Sequence, residues 1–198
     1  MVTLCLDTSQ HYLTIVLIKN NEVLGQYSEI CLKKQSEYIF PELIKQCDLA
    51  HVSPNEITSV VVTRGPGSYT GVRIAMSIAK VFCTQKKIAL YTLSTLQLYA
   101  GLNERCWVIM DARANRAYVA EYQKGKLVGE EKILAIDEIV KLVKEDKVNG
   151  EGSLIGKKDS YPDFGMAFIG LQDEWQKVEE IHHLVPVYLK SEESYLVK

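Results

Sequence analysis

A basic excess is the first thing this 198-residue chain lacks. Its 23 Lys and Arg stand against 25 Asp and Glu, a formal net charge of −2. Composition therefore builds in no overall attraction to nucleic acid, although a local basic patch is compatible with it. Long apolar runs are missing too, and none approaches the length of a membrane span. The opening Met1-Val2-Thr3-Leu4-Cys5-Leu6-Asp7 has neither a basic n-region nor a cleavage site, so no signal peptide is evident. Cys5, Cys31, Cys47, Cys83 and Cys106 form no Cys-x-x-Cys pair, and most sit in apolar or periodic segments. They read as reduced thiols of a cytosolic protein. No two of the histidines stand four apart on one helix, which leaves no expected zinc or other metal site.

Two phosphate-binding fingerprints are absent as well. Gly71 is followed by Val72-Arg73, so the lysine of a P-loop is missing. Gly-x-Gly-x-x-Gly is not matched from Gly65 or Gly67. What stands there instead is Val60-Val61-Val62-Thr63-Arg64-Gly65-Pro66-Gly67-Ser68-Tyr69-Thr70-Gly71-Val72-Arg73. A β-branched run ends in a glycine- and proline-bearing loop, and an apolar-periodic helix follows through Lys80 and Phe82. Thr70 is placed to cap that helix, and such a strand–loop–helix junction gathers backbone N–H groups at one point. A tight connection with no ligand accounts for the pattern equally well. The helix is apolar over more than half of its circumference, wider than one sheet requires. The surplus calls for a second helix of the same domain or a partner protein.

At 47% hydrophobic and 24% charged residues the chain can bury a proper core, as one large domain or two small ones. Strands are expected over 2–8, 12–19 and 22–30, with Asn20-Asn21 as a hairpin turn. Ser36 is the expected cap of a helix whose Ile39, Phe40, Leu43, Ile44 and Cys47 share a face, with Pro41 imposing a kink or a late start. Strands at 58–64 and 88–92 flank the glycine loop and its helix, and Ser94 caps a short helix. A second unit begins near Glu104. It holds a strand ending at Asp111, strands 116–123 and 126–134 around Lys124-Gly125, and a helix from Asp137 to Lys147 with Ile139, Leu142 and Val143 inward. Each half thus has a strand ending in Asp, a hairpin, and a helix.

Several of these segments occur together in one order. They are Asp7-Thr8-Ser9, Gln35-Ser36-Glu37 ahead of Pro41, Gly65 to Ile74, Asp111-Ala112-Arg113 and Pro186-Val187-Tyr188-Leu189. In that order they resemble the TsaB (YeaZ) family, a subunit of the bacterial machinery that makes threonylcarbamoyladenosine in tRNA. The resemblance implies an α/β fold of two actin-like (ASKHA, ribonuclease H-like) domains, with mixed sheets flanked by helices. An N-terminal domain over 1–103 would carry the partner interface, and a smaller, reduced domain would span 104–198. It further implies a non-catalytic scaffold, with no cofactor and no metal, that binds and activates a TsaD-like subunit. Contact with a TsaE-like ATPase and with tRNA would come through the complex, and a homodimer would form when the chain is alone.

The expected interface residues are Ile39, Phe40, Leu43, Val72, Ala75, Met76, Ala79 and Phe82, part of which face the chain's own sheet. Asp7, Thr8, Ser9, Gly65, Gly67, Ser68, Thr70 and Asp111 would be vestigial nucleotide or phosphate loops. Asp7 and Asp111 could hold a metal–phosphate water, or serve the turn chemistry that Asp performs after strands. Ser68 and Thr70 have no histidine predictably near them, and a nucleophile needs an adjacent base. Gln35 stands where many relatives carry His. The other reading is an independent ATPase or kinase of the actin-like superfamily.

Overall fold

A computed structural model describes residues 1–189. The first sheet begins with β1 (Val2–Asp7), β2 (Tyr12–Lys19) and β3 (Glu22–Ile30), joined as an antiparallel meander. Asn20 and Asn21 both take left-handed φ, 53° and 62°, as a two-residue hairpin requires. Helix α1 (Gln35–Leu49), β4 (Ile57–Thr63), α2 (Tyr69–Lys86) and β5 (Ala89–Leu93) follow, with β4 parallel to both β1 and β5. The short α3 (Thr95–Ala100), capped by Ser94 as expected, leads to a second sheet. That sheet holds β6 (Cys106–Asp111), β7 (Arg116–Gln123), β8 (Lys126–Ala135) and, after α4 (Ile136–Val143), β9 (Val148–Gly150). Helix α5 (Phe164–Gly170) and the two-residue β10 (Gln176–Lys177) complete the elements.

The first sheet runs β10-β5-β4-β1-β2-β3 and the second β8-β7-β6-β9. In both, a meander of three strands continues into a parallel strand beside the first of them. The recurrence read from the sequence is thus a recurrence of topology.

Period-two alternation sorts the side chains of the central strands onto two faces. Leu4, Leu6, Leu13, Ile15, Val60 and Val62 join Ala75, Ala79 and Cys83 of α2 and Ile39 of α1 in one core. Cys5, Val16, Ile18 and Val61 point the other way, into a second core. That core also takes Leu96 and Tyr99 of α3, Phe164 and Phe168 of α5, and Val108, Met110, Tyr118 and Tyr122 of the second sheet. Beyond the second sheet, Ile109, Ala117 and Val119 pack under Ile139 and Val143 of α4. The layers are therefore α1/α2, first sheet, α3/α5, second sheet, α4.

Several local expectations give way. Ser36 does not cap α1, which starts at Gln35 with no side-chain cap at Lys34. The helix runs through Pro41 rather than starting after it. Phe40 and Ile44 point to solvent while Gln35 and Gln46 are buried beside Ile39 and Cys47, so the buried face is rotated from the purely apolar one. α4 stops at Val143 because Lys144 takes φ 46°, and Leu142 lies outward. The segment after Leu171 returns to the first lobe: β10 pairs antiparallel with β5, and Val178, Ile181 and Leu184 pack on the α1/α2 core. Strands of the first sheet thus come from both sides of residue 103. Among the described residues no helix is long and apolar enough to cross a membrane.

Candidate functional site

The turn after β1 and the glycine loop after β4 form one joint. Ser68, not Thr70, caps α2: its backbone is extended, and its Oγ accepts the Gly71 N–H at 3.3 Å. Thr70 lies exposed in the first turn. The Ser68 N–H donates to the Ser9 carbonyl at 2.7 Å. The Thr8 hydroxyl donates to the Gly71 carbonyl at 2.6 Å and accepts the Ala75 N–H at 3.1 Å. This packing explains two of the glycines. A Cβ at Gly67 would stand 2.5 Å from the Ser9 carbonyl oxygen, and one at Gly71 would run into that of Thr8. Gly65, at φ 101°, leaves room for the Val187 carbonyl. The glycines serve the close approach of the chain to itself.

Asp7 ends β1 fully buried. Its Oδ1 accepts the Ser9 N–H at 3.0 Å, the Ser9 hydroxyl at 2.5 Å and the Thr63 hydroxyl at 2.5 Å. Its Oδ2 accepts the Tyr99 hydroxyl at 3.4 Å. Burial pushes its carboxyl above the ordinary 3.8, and these hydrogen bonds pull it back in part. A carboxylate used in this way, with no exposed surface, does not fit a metal–phosphate group held between the lobes. Asp111, the matching residue of β6, is half-buried and faces the cleft. Its Oδ1 accepts the Arg113 N–H at 2.7 Å, and its own N–H donates to Glu151. Glu151 also pairs with His11 Nε2 at 2.7 Å, which ties the β1–β2 turn to the segment after β9. Burial is the main cause that lifts the Glu151 carboxyl above its ordinary 4.5. No sequence pattern connects His11 with Glu151, and only the folded chain joins them.

A cleft of about 870 Å³ opens between the starts of α1 and α2 and the turn from β6 to β7. Ser9 and Asp7 do not line it, whereas Gly67, Ser68, Thr70 and Asp111 do. Ser68 Oγ is engaged with its own helix, and His11 with Glu151, so these two do not form a hydroxyl–imidazole pair.

The eight expected interface residues divide. Ile39, Val72, Ala75, Met76 and Ala79 are buried within the chain itself. Leu43 and Phe82 are half-buried on the edge of the α1/α2 core, and Phe40 lies open. Part of the apolar surplus of α2 is covered by α1 and by the returning segment, where Lys80 Nζ donates to the carbonyls of His182 (2.9 Å) and Leu184 (3.0 Å). The rest is an apolar ridge on the two helices, with Phe40 54%, Ile44 61% and Val81 64% exposed.

Comparisons with known proteins agree with this architecture. A family model described as TsaD, tRNA N6-adenosine threonylcarbamoyltransferase, matches residues 17–187. The tRNA threonylcarbamoyladenosine biosynthesis protein TsaB of Bacillus subtilis (strain 168) is 29% identical, over 98% of this chain and 96% of that protein. The protein of the same name from Escherichia coli (strain K12) is 27% identical, over 83% of this chain and 75% of its own length. The solved structure of YeaZ from Pseudomonas aeruginosa superposes with a TM-score of 0.79 at 22% identity, over 95% of this chain and 99% of that one, and it shares this α/β fold of two mixed sheets flanked by helices. The chain belongs to the family described as TsaD and, within it, is a member of the TsaB (YeaZ) group.

Proposed function

We propose that this chain is a non-catalytic subunit that docks a TsaD-like partner on α1 and α2 and supports the making of threonylcarbamoyladenosine in tRNA. The carrying observation is the open apolar ridge of Phe40, Ile44 and Val81 beside half-buried Ile74, Ile78 and Phe82. Large apolar side chains left exposed on two helices that pack together mark an interaction site. The relatives named for threonylcarbamoyladenosine biosynthesis supply the process. A TsaE-like ATPase and tRNA join through the complex, and a second copy covers the ridge when the partner is missing.

The competing reading, a nucleotide-dependent enzyme of the actin-like superfamily, needs Asp7 to face the cleft, and its hydrogen bonds hold it inward.

The test compares two substitutions in a pull-down with a TsaD-like protein. Phe40→Glu with Ile44→Glu should keep the wild-type circular dichroism and melting temperature and lose the partner. Ala79→Arg should fail to fold, because Ala79 is fully enclosed in the first core. A well-folded Phe40→Glu, Ile44→Glu variant that binds at wild-type strength overturns the docking surface.

A further inference from the structure

We propose that the cleft between the two helix starts and the β6–β7 turn binds phosphate groups through Lys33, Arg113 and Arg116, without a divalent metal. The three cations reach it from opposite walls. Lys33 lies on the loop into α1, and Arg113 and Arg116 lie on the turn from β6 to β7. None of the three makes an ion pair among the described residues.

Among the described residues the one carboxylate lining the cleft is Asp111, which leaves three cations there against one anion. Like charges that converge on a concave space repel one another and focus a field that favours an anion. At about 870 Å³ the space is large enough for a phosphorylated small molecule or a short stretch of nucleic-acid backbone. Two guanidiniums favour phosphate, since their planar fork matches its oxygens with paired hydrogen bonds.

Metal independence follows from Asp7, which is fully buried and held by its own neighbours. Among the described residues none beyond Tyr118 lines the cleft, so of these the second lobe contributes the end of β6, the β6–β7 turn and the start of β7. The cleft meets the docking surface at Ile74, but Lys33, Arg113 and Arg116 lie apart from Phe40, Ile44 and Val81, so a variant of these cations should keep the partner and Phe40→Glu with Ile44→Glu should keep phosphate binding.

The experiment titrates the chain with tripolyphosphate in EDTA at low salt, and with a labelled single-stranded RNA, with polyglutamate as the carboxylate control. Lys33 and Arg113 take left-handed φ, 58° and 64°, a conformation that Asn tolerates. Lys33→Asn and Arg113→Asn therefore test opposite walls with the backbone kept, as matched melting curves would document. Saturable tripolyphosphate binding is expected, weakened about tenfold by each substitution and falling as salt is raised.

RNA that competes with tripolyphosphate identifies the source as a nucleic-acid backbone. Tripolyphosphate that RNA does not displace identifies a free phosphate ester. The proposal is overturned by no saturable binding of either probe, by binding that needs magnesium, by binding unchanged in both variants, or by polyglutamate binding as tightly as tripolyphosphate.

Discussion

Asp7 has two donor-rich neighbours in Ser9 and Thr63 and no exposed surface, so its replacement separates two roles of a carboxyl group. Asp7→Ala leaves buried donors without an acceptor and should cost about 3 kcal/mol or more in urea unfolding. Asp7→Asn keeps an oxygen at the Oδ1 position and should cost far less. The two also differ in their pH dependence. Burial raises the native carboxyl above 3.8, so the folded state holds the proton more tightly than the unfolded one. The stability from this group is full below the ordinary Asp value and is lost as pH rises through the raised native one. Wild-type stability relative to Asp7→Asn should therefore decline over that interval, as paired unfolding curves at stepped pH would measure. An unchanging difference would show that Asp7 titrates normally. The cysteines carry a related expectation. All five are buried, and burial lifts Cys83 to about 12, so a thiol reagent should label the native chain only at its opening rate.

Among the elements, the glycine loop shows what the sequence discloses and what it withholds. The strand–loop–helix order from Val60 to Arg73 was legible because a β-branched run, glycines and an apolar period mark it at short range. The actual cap, Ser68, stands two residues before the expected Thr70, since the two are chemically alike and only backbone φ/ψ decides between them. The partners of Gly67 and Gly71 are the carbonyls of Ser9 and Thr8, from a turn far away in sequence, and no local pattern carries that information. For the same reason no local pattern singles out Lys33: it gains meaning only when the β6–β7 turn lies across from it. Gly71→Ala should lower stability by about 1–3 kcal/mol through overpacking against Thr8. Gly129→Ala is the contrast: it has open space around it but a positive φ, 84°, so it reports backbone strain without overpacking, whereas Gly71 lies in α2 and takes no positive φ. A Gly71→Ala variant as stable as the wild type would deny that the two turns form a joint.

In the whole molecule the lobes are not separate bodies. One core takes side chains from both sheets and from α3 and α5 between them, so neither lobe can lose its packing alone. Two tryptophans report on the two ends. Trp107 packs with the core under α4, and Trp175 packs on the shared core next to Tyr91. Trp107→Phe and Trp175→Phe, each leaving one fluorophore, should unfold in urea with coincident midpoints after correction for each variant's own stability by circular dichroism. Separate midpoints would mean two folding units. The recurring strand–hairpin–helix pattern, on which the expected division at residue 103 rests, is present in the fold as a repeated topology. It does not disclose the shared core, because the apolar residues that weld the lobes look like any other core residues in sequence.

The return of residues 176–189 to the first sheet also sets an order of events during synthesis. β1 to β5 leave the ribosome long before β10, which covers the edge of β5, and before Ile181 and Leu184, which cover α2. Throughout translation of the second lobe, the nascent first lobe presents a bare strand edge and a bare helix flank, both openings for mispairing. The lobe encoded first is therefore the one completed last.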